Sequence, residues 1–210
     1  MTDSILFVDF DGTITSEETL EGAMRLCVDP GEYERKAREM LSGAITISEV
    51  LHYAFSRIPS SRLEEIKAYV RSVPVRPGFG ELLALAEERG IPVVVISGGL
   101  RPCVEEKLAP YRSRLLDVYS VELDCSGETM TLRSEYEDGQ EIMSKTRVMA
   151  RYSYRRALCV GDSYTDVHMA MASQTVFARD TLAKILTVKG VPYTPWEDFF
   201  DIARAISSSR

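Results

Sequence analysis

The sequence is poor in the residues on which several kinds of chemistry depend. Histidine occurs only at His52 and His168, too seldom for a His-rich metal site and leaving little for a Ser-His triad. The four cysteines, Cys27, Cys103, Cys125 and Cys159, stand far apart and form no C-x-x-C pair. That spacing predicts neither a zinc site nor a disulfide framework, so reduced thiols and a cytoplasmic location are expected. No run approaches the ~20 apolar residues that span a bilayer. The opening MTDSILFVDFDG lacks a basic stretch and soon meets acids, so neither a signal peptide nor membrane association is expected. Positive charge is also in deficit, with 25 Lys+Arg against 32 Asp+Glu and a net charge of −7. Nucleic acid is held by clustered Lys and Arg, so it is excluded as the expected partner. A small anionic substrate meets only the local field and stays open.

What is present is a globular composition, 45% hydrophobic and 27% charged over 210 residues. This suffices for one substantial domain, or one domain with a smaller insert. Ile5-Leu6-Phe7-Val8, Pro92 to Ile96, Ala157 to Val160 and Thr175 to Ala178 are short apolar runs of the kind that form strands buried on both faces. Helical patterns separate them; Gly80 to Arg89 sets Leu82, Leu83, Leu85 and Ala86 on one side and closes at Gly90. This alternation predicts an α/β fold with a mainly parallel sheet covered by helices on both faces, whose ligand sits at the carboxyl ends of the strands. Residues 15–74 break the alternation. They read as a small helical bundle, with capping boxes expected at Asp29 to Glu32, Thr46 to Glu49 and Ser61 to Glu64. The expected division is therefore a core of 1–14 and 75–210 and a helical insert of 15–74. Glu122 to Ser134 reads as a β-hairpin, and a capped helix is expected from Thr194 onward.

Three strand ends carry polar side chains. Asp9 and Asp11 stand two apart, so they face one way if strand geometry persists. Such a pair can bind a hard cation, attack as a nucleophile or shuttle a proton, while a bare D-x-D is also an ordinary turn. Ser97-Gly98-Gly99 offers a hydroxyl and backbone N–H groups suited to a phosphoryl oxygen, or simply a turn into a helix. Gly161-Asp162-Ser163-Tyr164-Thr165-Asp166 reads as an N-cap, yet capping leaves Asp166 without a task. Two acidic loops and one hydroxyl-glycine loop at sheet ends jointly suit a metal and a phosphate.

In this order the segments resemble the motifs of the haloacid dehalogenase (HAD) superfamily of phosphohydrolases over essentially the whole chain. The resemblance implies a Rossmann-like core, a mobile cap made by the 15–74 insert, and Mg²⁺ as cofactor. It makes Asp9 the nucleophile, Asp11 the proton donor and acceptor, and Asp9, Asp162 and the Asp11 carbonyl the metal ligands. Ser97, Gly98 and a lysine would hold the phosphate, with Asp166 orienting from behind. Of six lysines, Lys145 fits the family order, with Lys107 as the rival. The implied activity is Mg²⁺-dependent hydrolysis of a small phosphate monoester through an aspartyl-phosphate. Within the superfamily the chain resembles the branch of phosphoserine and methionine-salvage phosphatases. Thr46-Ile-Ser, Ile58-Pro-Ser-Ser, Phe177-Ala-Arg-Asp180 and Pro195-Trp-Glu-Asp-Phe-Phe200 favour the latter. Glu18 falls where phosphoserine enzymes bind the substrate amine, whereas Ala54 falls where they carry a carboxylate-clamping arginine; nearby Arg57 is the substitute. Met24, His52, Tyr53, Phe55 and Arg57 join Glu18 as expected pocket lining, although Met24, Tyr53 and Phe55 at helical spacing also suit a bundle core. The alternatives are phosphoserine hydrolysis, phosphotransfer to an alcohol, and a non-catalytic receiver-type module.

Overall fold

The computed structural model describes residues 2–208. Its sheet has seven strands: β1 (Thr2–Val8), β2 (Val93–Leu100), β3 (Asp117–Asp124), β4 (Thr131–Arg133), β5 (Tyr154–Gly161), β6 (Thr175–Ala178) and β7 (Thr194–Pro195). Their spatial order is β4-β3-β2-β1-β5-β6-β7, parallel except for β4, which pairs antiparallel with β3. The chain first builds outward from β1 through β2 and β3, then returns to build the other side from β5. The order therefore reverses at β1–β5, the kind of place where open α/β sheets bind ligands.

The alternation of side chains along β1 divides the core in two. Ile5 and Phe7 join Val94, Ile96, Ala157 and Cys159 on one face, and Leu6 and Val8 join Val93, Val95, Leu158 and Val160 on the other. The second face is covered by α5 (Phe79–Glu88), α6 (Arg101–Leu108) and α10 (Phe199–Ser208) through Leu82, Val104 and Ile202, among others. The first is covered by α7 (Lys145–Met149), α8 (Val167–Met171) and α9 (Asp180–Lys189). Each wholly buried Leu, Val or Phe contributes about 1.5–3 kcal/mol, so this two-sided burial dominates the stability of the sheet.

Between β1 and α5 lie α1 (Thr19–Cys27), α2 (Pro30–Leu41), α3 (Ile47–Phe55) and α4 (Leu63–Ser72). The segment leaves and returns at one place, where Thr15 bridges Val75 and Arg76 N–H donates to the Ile14 carbonyl at 2.8 Å. Thr46 and Glu49 form a reciprocal capping box, and Asp29 accepts from the N–H of Glu32. The box expected at Ser61 does not form; a tight turn over Ser60–Arg62 already brings the chain into α4. The C-terminal helix also differs from expectation. Thr194-Pro195 pairs with β6 as an edge strand, which suits a proline, and α10 starts only at Phe199. Its start is fixed by Asp198 Oδ1, which accepts from the N–H groups of Phe200 and Asp201.

The insert is tied to the rest of the chain on two sides. Ser48 Oγ and His52 Nε2 meet the Glu137 carboxylate, the histidine at 2.9 Å. Met130 N–H donates to the Ile58 carbonyl at 3.0 Å, and Lys107 Nζ caps Val73 at 2.6 Å. By contrast α2 has no buried residue, and Leu41 at its end is 81% exposed. No helix among the described residues is long and apolar enough to cross a membrane.

Candidate active site

Register brings the strand ends together. Val8 stands opposite Val95 and Val160, and the N–H of Asp9 continues the β1–β5 ladder by donating to Val160 at 3.0 Å. Asp9 and Asp162 thus stand just past the ends of β1 and β5, with Ser97 in the second half of the neighbouring β2. Beyond Asp9 the chain makes a wide turn over Phe10–Ile14, with Gly12 at φ +73°, a left-handed conformation that favours glycine. A Cβ there would also lie 2.5 Å from Asp162 Oδ2, so a side chain at residue 12 would displace Asp162. Thr13 Oγ1 donates to Asp162 Oδ1 at 2.6 Å. Arg76 grips the same turn from outside, donating to the Gly12 and Thr13 carbonyls at 2.7 and 3.1 Å with its guanidinium over Trp196.

Carboxylate oxygens of Asp9, Asp162 and Asp166 all lie within 4.8 Å of one another. Lys145, 2% exposed, is held by Asp9 and, at 2.6 Å, by Asp166 Oδ1. The other Asp166 oxygen accepts from the N–H groups of Asp162 and Ser163, both at 3.0 Å. Asp166 is therefore fully committed, and Asp9 and Asp162 carry the spare oxygens. Lys107, the rival lysine, serves the end of α4 instead. The Asp11 carboxyl turns away from the acid cluster to accept from Thr19 Oγ1 and, at 3.1 Å, from Ser97 Oγ. Gly99 N–H fixes that serine hydroxyl at 2.8 Å.

These groups are short of positive charge. Burial pushes the Asp9 carboxyl well above the usual range, with Asp166 adding to the rise and Lys145 only partly offsetting it. Burial raises Asp11 as well. Asp162 is pushed up to about 7 by burial and then Asp166, and Glu18 to about 10 by burial and then Asp11. Burial opposes the Lys145 charge, but Asp166 and Asp9 outweigh it and hold the ammonium firmly protonated. A cluster of hard oxygen donors lacking a counter-charge fits a hard divalent cation.

The cluster opens into a cavity of about 450 Å³. Asp9, Asp11, Gly98 and Lys145 form its charged end, with Glu18 and Glu141 in the wall. Leu20, Met24, Met40, Ile47, Leu51 and Met143 form an apolar stretch of the wall, and Glu21, Ser163, Thr165 and Thr181 add polar groups to it. Four expected lining residues are elsewhere. His52 pairs with Glu137, Phe55 is wholly buried in the core, and Tyr53 bonds Glu32 while Arg57 stacks on its ring. The helical spacing of Met24, Tyr53 and Phe55 marks burial, and only Met24 is shared with the cavity. Thr13, Thr19, Arg76 and Glu141 join the site through contacts that carry no local sequence pattern.

The family model for haloacid dehalogenase-like hydrolases matches residues 6–171. The chain is 38% identical over 202 residues to a 2-hydroxy-3-keto-5-methylthiopentenyl-1-phosphate phosphatase of Microcystis aeruginosa, covering 94% of this chain and 95% of that one. A phosphatase of the same description from Brevibacillus brevis is 31% identical over 210 residues, with 96% and 94% coverage. Among solved structures, a substrate-bound phosphoserine phosphatase superposes with TM-score 0.71 at 20% identity, covering 98% of each chain. The protein belongs to the haloacid dehalogenase-like hydrolase family. Within that class it is a phosphatase, a hydrolase of phosphoric monoesters.

Proposed function

We propose that this phosphatase acts on a small phosphate ester with an apolar tail and no carboxylate, of the kind named for its relatives, 2-hydroxy-3-keto-5-methylthiopentenyl-1-phosphate. The cavity carries the reading. One end holds the catalytic acids and a single lysine, and elsewhere Leu20, Met24, Met40, Ile47, Leu51 and Met143 provide a soft apolar stretch suited to a methylthio group. An amino-acid carboxylate needs a cation of its own. Among the described residues of the wall the only Lys or Arg is Lys145, already bound by two carboxylates. Arg57, the substitute clamp, lies on Tyr53 outside the cavity. This disfavours phosphoserine.

In this reading Asp9 attacks phosphorus and forms the aspartyl-phosphate. The Asp11 carboxyl, whose hold on a proton is strengthened by burial, gives its proton to the leaving oxygen and later takes one from the attacking water. Ser97 Oγ, the Gly98 N–H and Lys145 hold the phosphoryl oxygens as charge spreads over them. Asp166 keeps Lys145 in place and orients the loop that presents Asp162. Mg²⁺, held by Asp9, Asp162 and the Asp11 carbonyl, would supply the charge that lets a phosphate dianion approach these acids and keeps Asp9 ionised. Residues 15–74 serve as the cap that closes the apolar end. Phosphate release from the hydroxy-keto ester and from phosphoserine, measured with Mg²⁺, tests the proposal. A kcat/KM higher by roughly two orders of magnitude for the former is expected from an unpaired buried carboxylate in the latter; equal or better turnover of phosphoserine would overturn it. Phosphate balance in the presence of alcohols separates hydrolysis from phosphotransfer.

A further inference from the structure

One buried carboxyl in the cavity wall has no part in the phosphate chemistry. Glu141 is 6% exposed, lies four residues before Lys145, and borders the cavity with its neighbours Ile142 and Met143. Its position is built. Its N–H donates to Asp138 Oδ1 at 2.9 Å, and its Oε1 meets His168 Nδ1 at 3.2 Å. Its Oε2 receives no hydrogen bond from any described residue. That oxygen is accessible from the cavity, so a ligand that displaces water from it must supply a donor in its place. The place of that donor is constrained as well. Glu141 meets His168, two residues past the Asp166 that holds Lys145, which places it at the phosphate end of the cavity. A ligand group reaching Glu141 must therefore sit next to the ester, not on the tail.

We propose that Glu141 is a specificity-determining residue that accepts a hydrogen bond from a hydroxyl on the carbon adjacent to the phosphate-bearing carbon of the substrate. This rests on the substrate reading above, in which phosphate and hydroxyl occupy carbons 1 and 2. His168 holds Glu141 in that orientation from the exposed side. Discrimination follows from the missing partner. An ester without the hydroxyl leaves the Glu141 oxygen desolvated and unpaired, the situation in which polar sites reject an analogue most strongly.

The test compares kcat/KM for the 2-hydroxylated ester and its 2-deoxy analogue in wild type, Glu141→Met and Glu141→Gln. Wild type should prefer the hydroxylated ester by roughly ten-fold or more. Glu141→Met, which fills the space without an acceptor, should bring that ratio to about one, chiefly through KM. Glu141→Gln, which keeps an acceptor oxygen, should retain most of the ratio. No preference in wild type, or an equal loss on both esters in Glu141→Met, overturns the assignment while the substrate reading stands. Turnover of p-nitrophenyl phosphate with neither ester accepted removes the substrate reading, and the role of Glu141 with it.

Discussion

Asp9 and Lys145 are the residues at which stability and chemistry conflict most sharply. Asp9→Asn should lower turnover by at least about three orders of magnitude, since an amide cannot attack phosphorus, while removing a charge from a crowd of buried acids. The expected thermal midpoint is equal to or above that of wild type; near-normal turnover would exclude Asp9 as nucleophile. Asp11→Asn should cost about 10²–10⁴-fold on esters with poor leaving groups and distinctly less on p-nitrophenyl phosphate, whose leaving group needs no proton. Lys145→Met leaves Asp9 and Asp166 facing each other without their shared cation. Breaking a buried pair from one side costs about 3–5 kcal/mol, to be read as a fall in the urea midpoint. The principal acids, Ser97 and Lys145 could be picked out from the sequence because each follows an apolar run or keeps the family order. Thr19, Arg76 and Glu141 could not. Their meaning lies in contacts with Asp11, the Gly12–Thr13 carbonyls and His168, which join positions far apart in the chain and leave no local pattern.

Elements announce themselves where periodicity and burial agree. The central stretches of β1, β2, β5 and β6 are apolar because both faces are covered there, and the sequence marks all four. Most of β3 carries no clear signal because Ser120 and Glu122 interrupt its apolar run without strict alternation, and β7 none because two paired residues carry no period. The displaced start of α10 has a similar cause, since a Thr-Pro can open a helix or end an edge strand, and only pairing with β6 decides. The helices between β1 and α5 differ in their anchorage. α3 is held by its capping box and by Ser48 and His52 on Glu137, whereas α2 has no fully buried residue and carries exposed ion pairs worth little. Amide exchange should therefore be faster across Pro30–Leu41 than across Ile47–Phe55. Equal protection of the two helices would contradict this account of their packing.

The whole molecule stores its acids at a cost that depends on pH. Asp162 and Glu18 titrate near 7 and 10 in the fold, above the ordinary carboxyl range they would show unfolded. The native state thus binds more protons than the unfolded chain between about pH 4 and those values, so stability contributed by these groups is lost as pH rises through them. Without divalent cation the thermal midpoint should fall by several degrees between about pH 5 and 8. Millimolar Mg²⁺ should raise it more at pH 8 than at pH 5, because a cation competes with protons for the same oxygens. A cation effect larger at pH 5 would contradict a site built on Asp162.

The pairing of Val8 with Val160 has an evolutionary corollary. The rung that seats two hydrophobic layers also sets the spacing between the two acidic loops. A slip of one rung would turn Phe7 and Leu6 to the wrong layers and part Asp9 from Asp162 in the same stroke. Selection for activity therefore polices the fold at its centre, and drift is left the perimeter, where β4, β7 and the outer helices can change without altering how the acids meet.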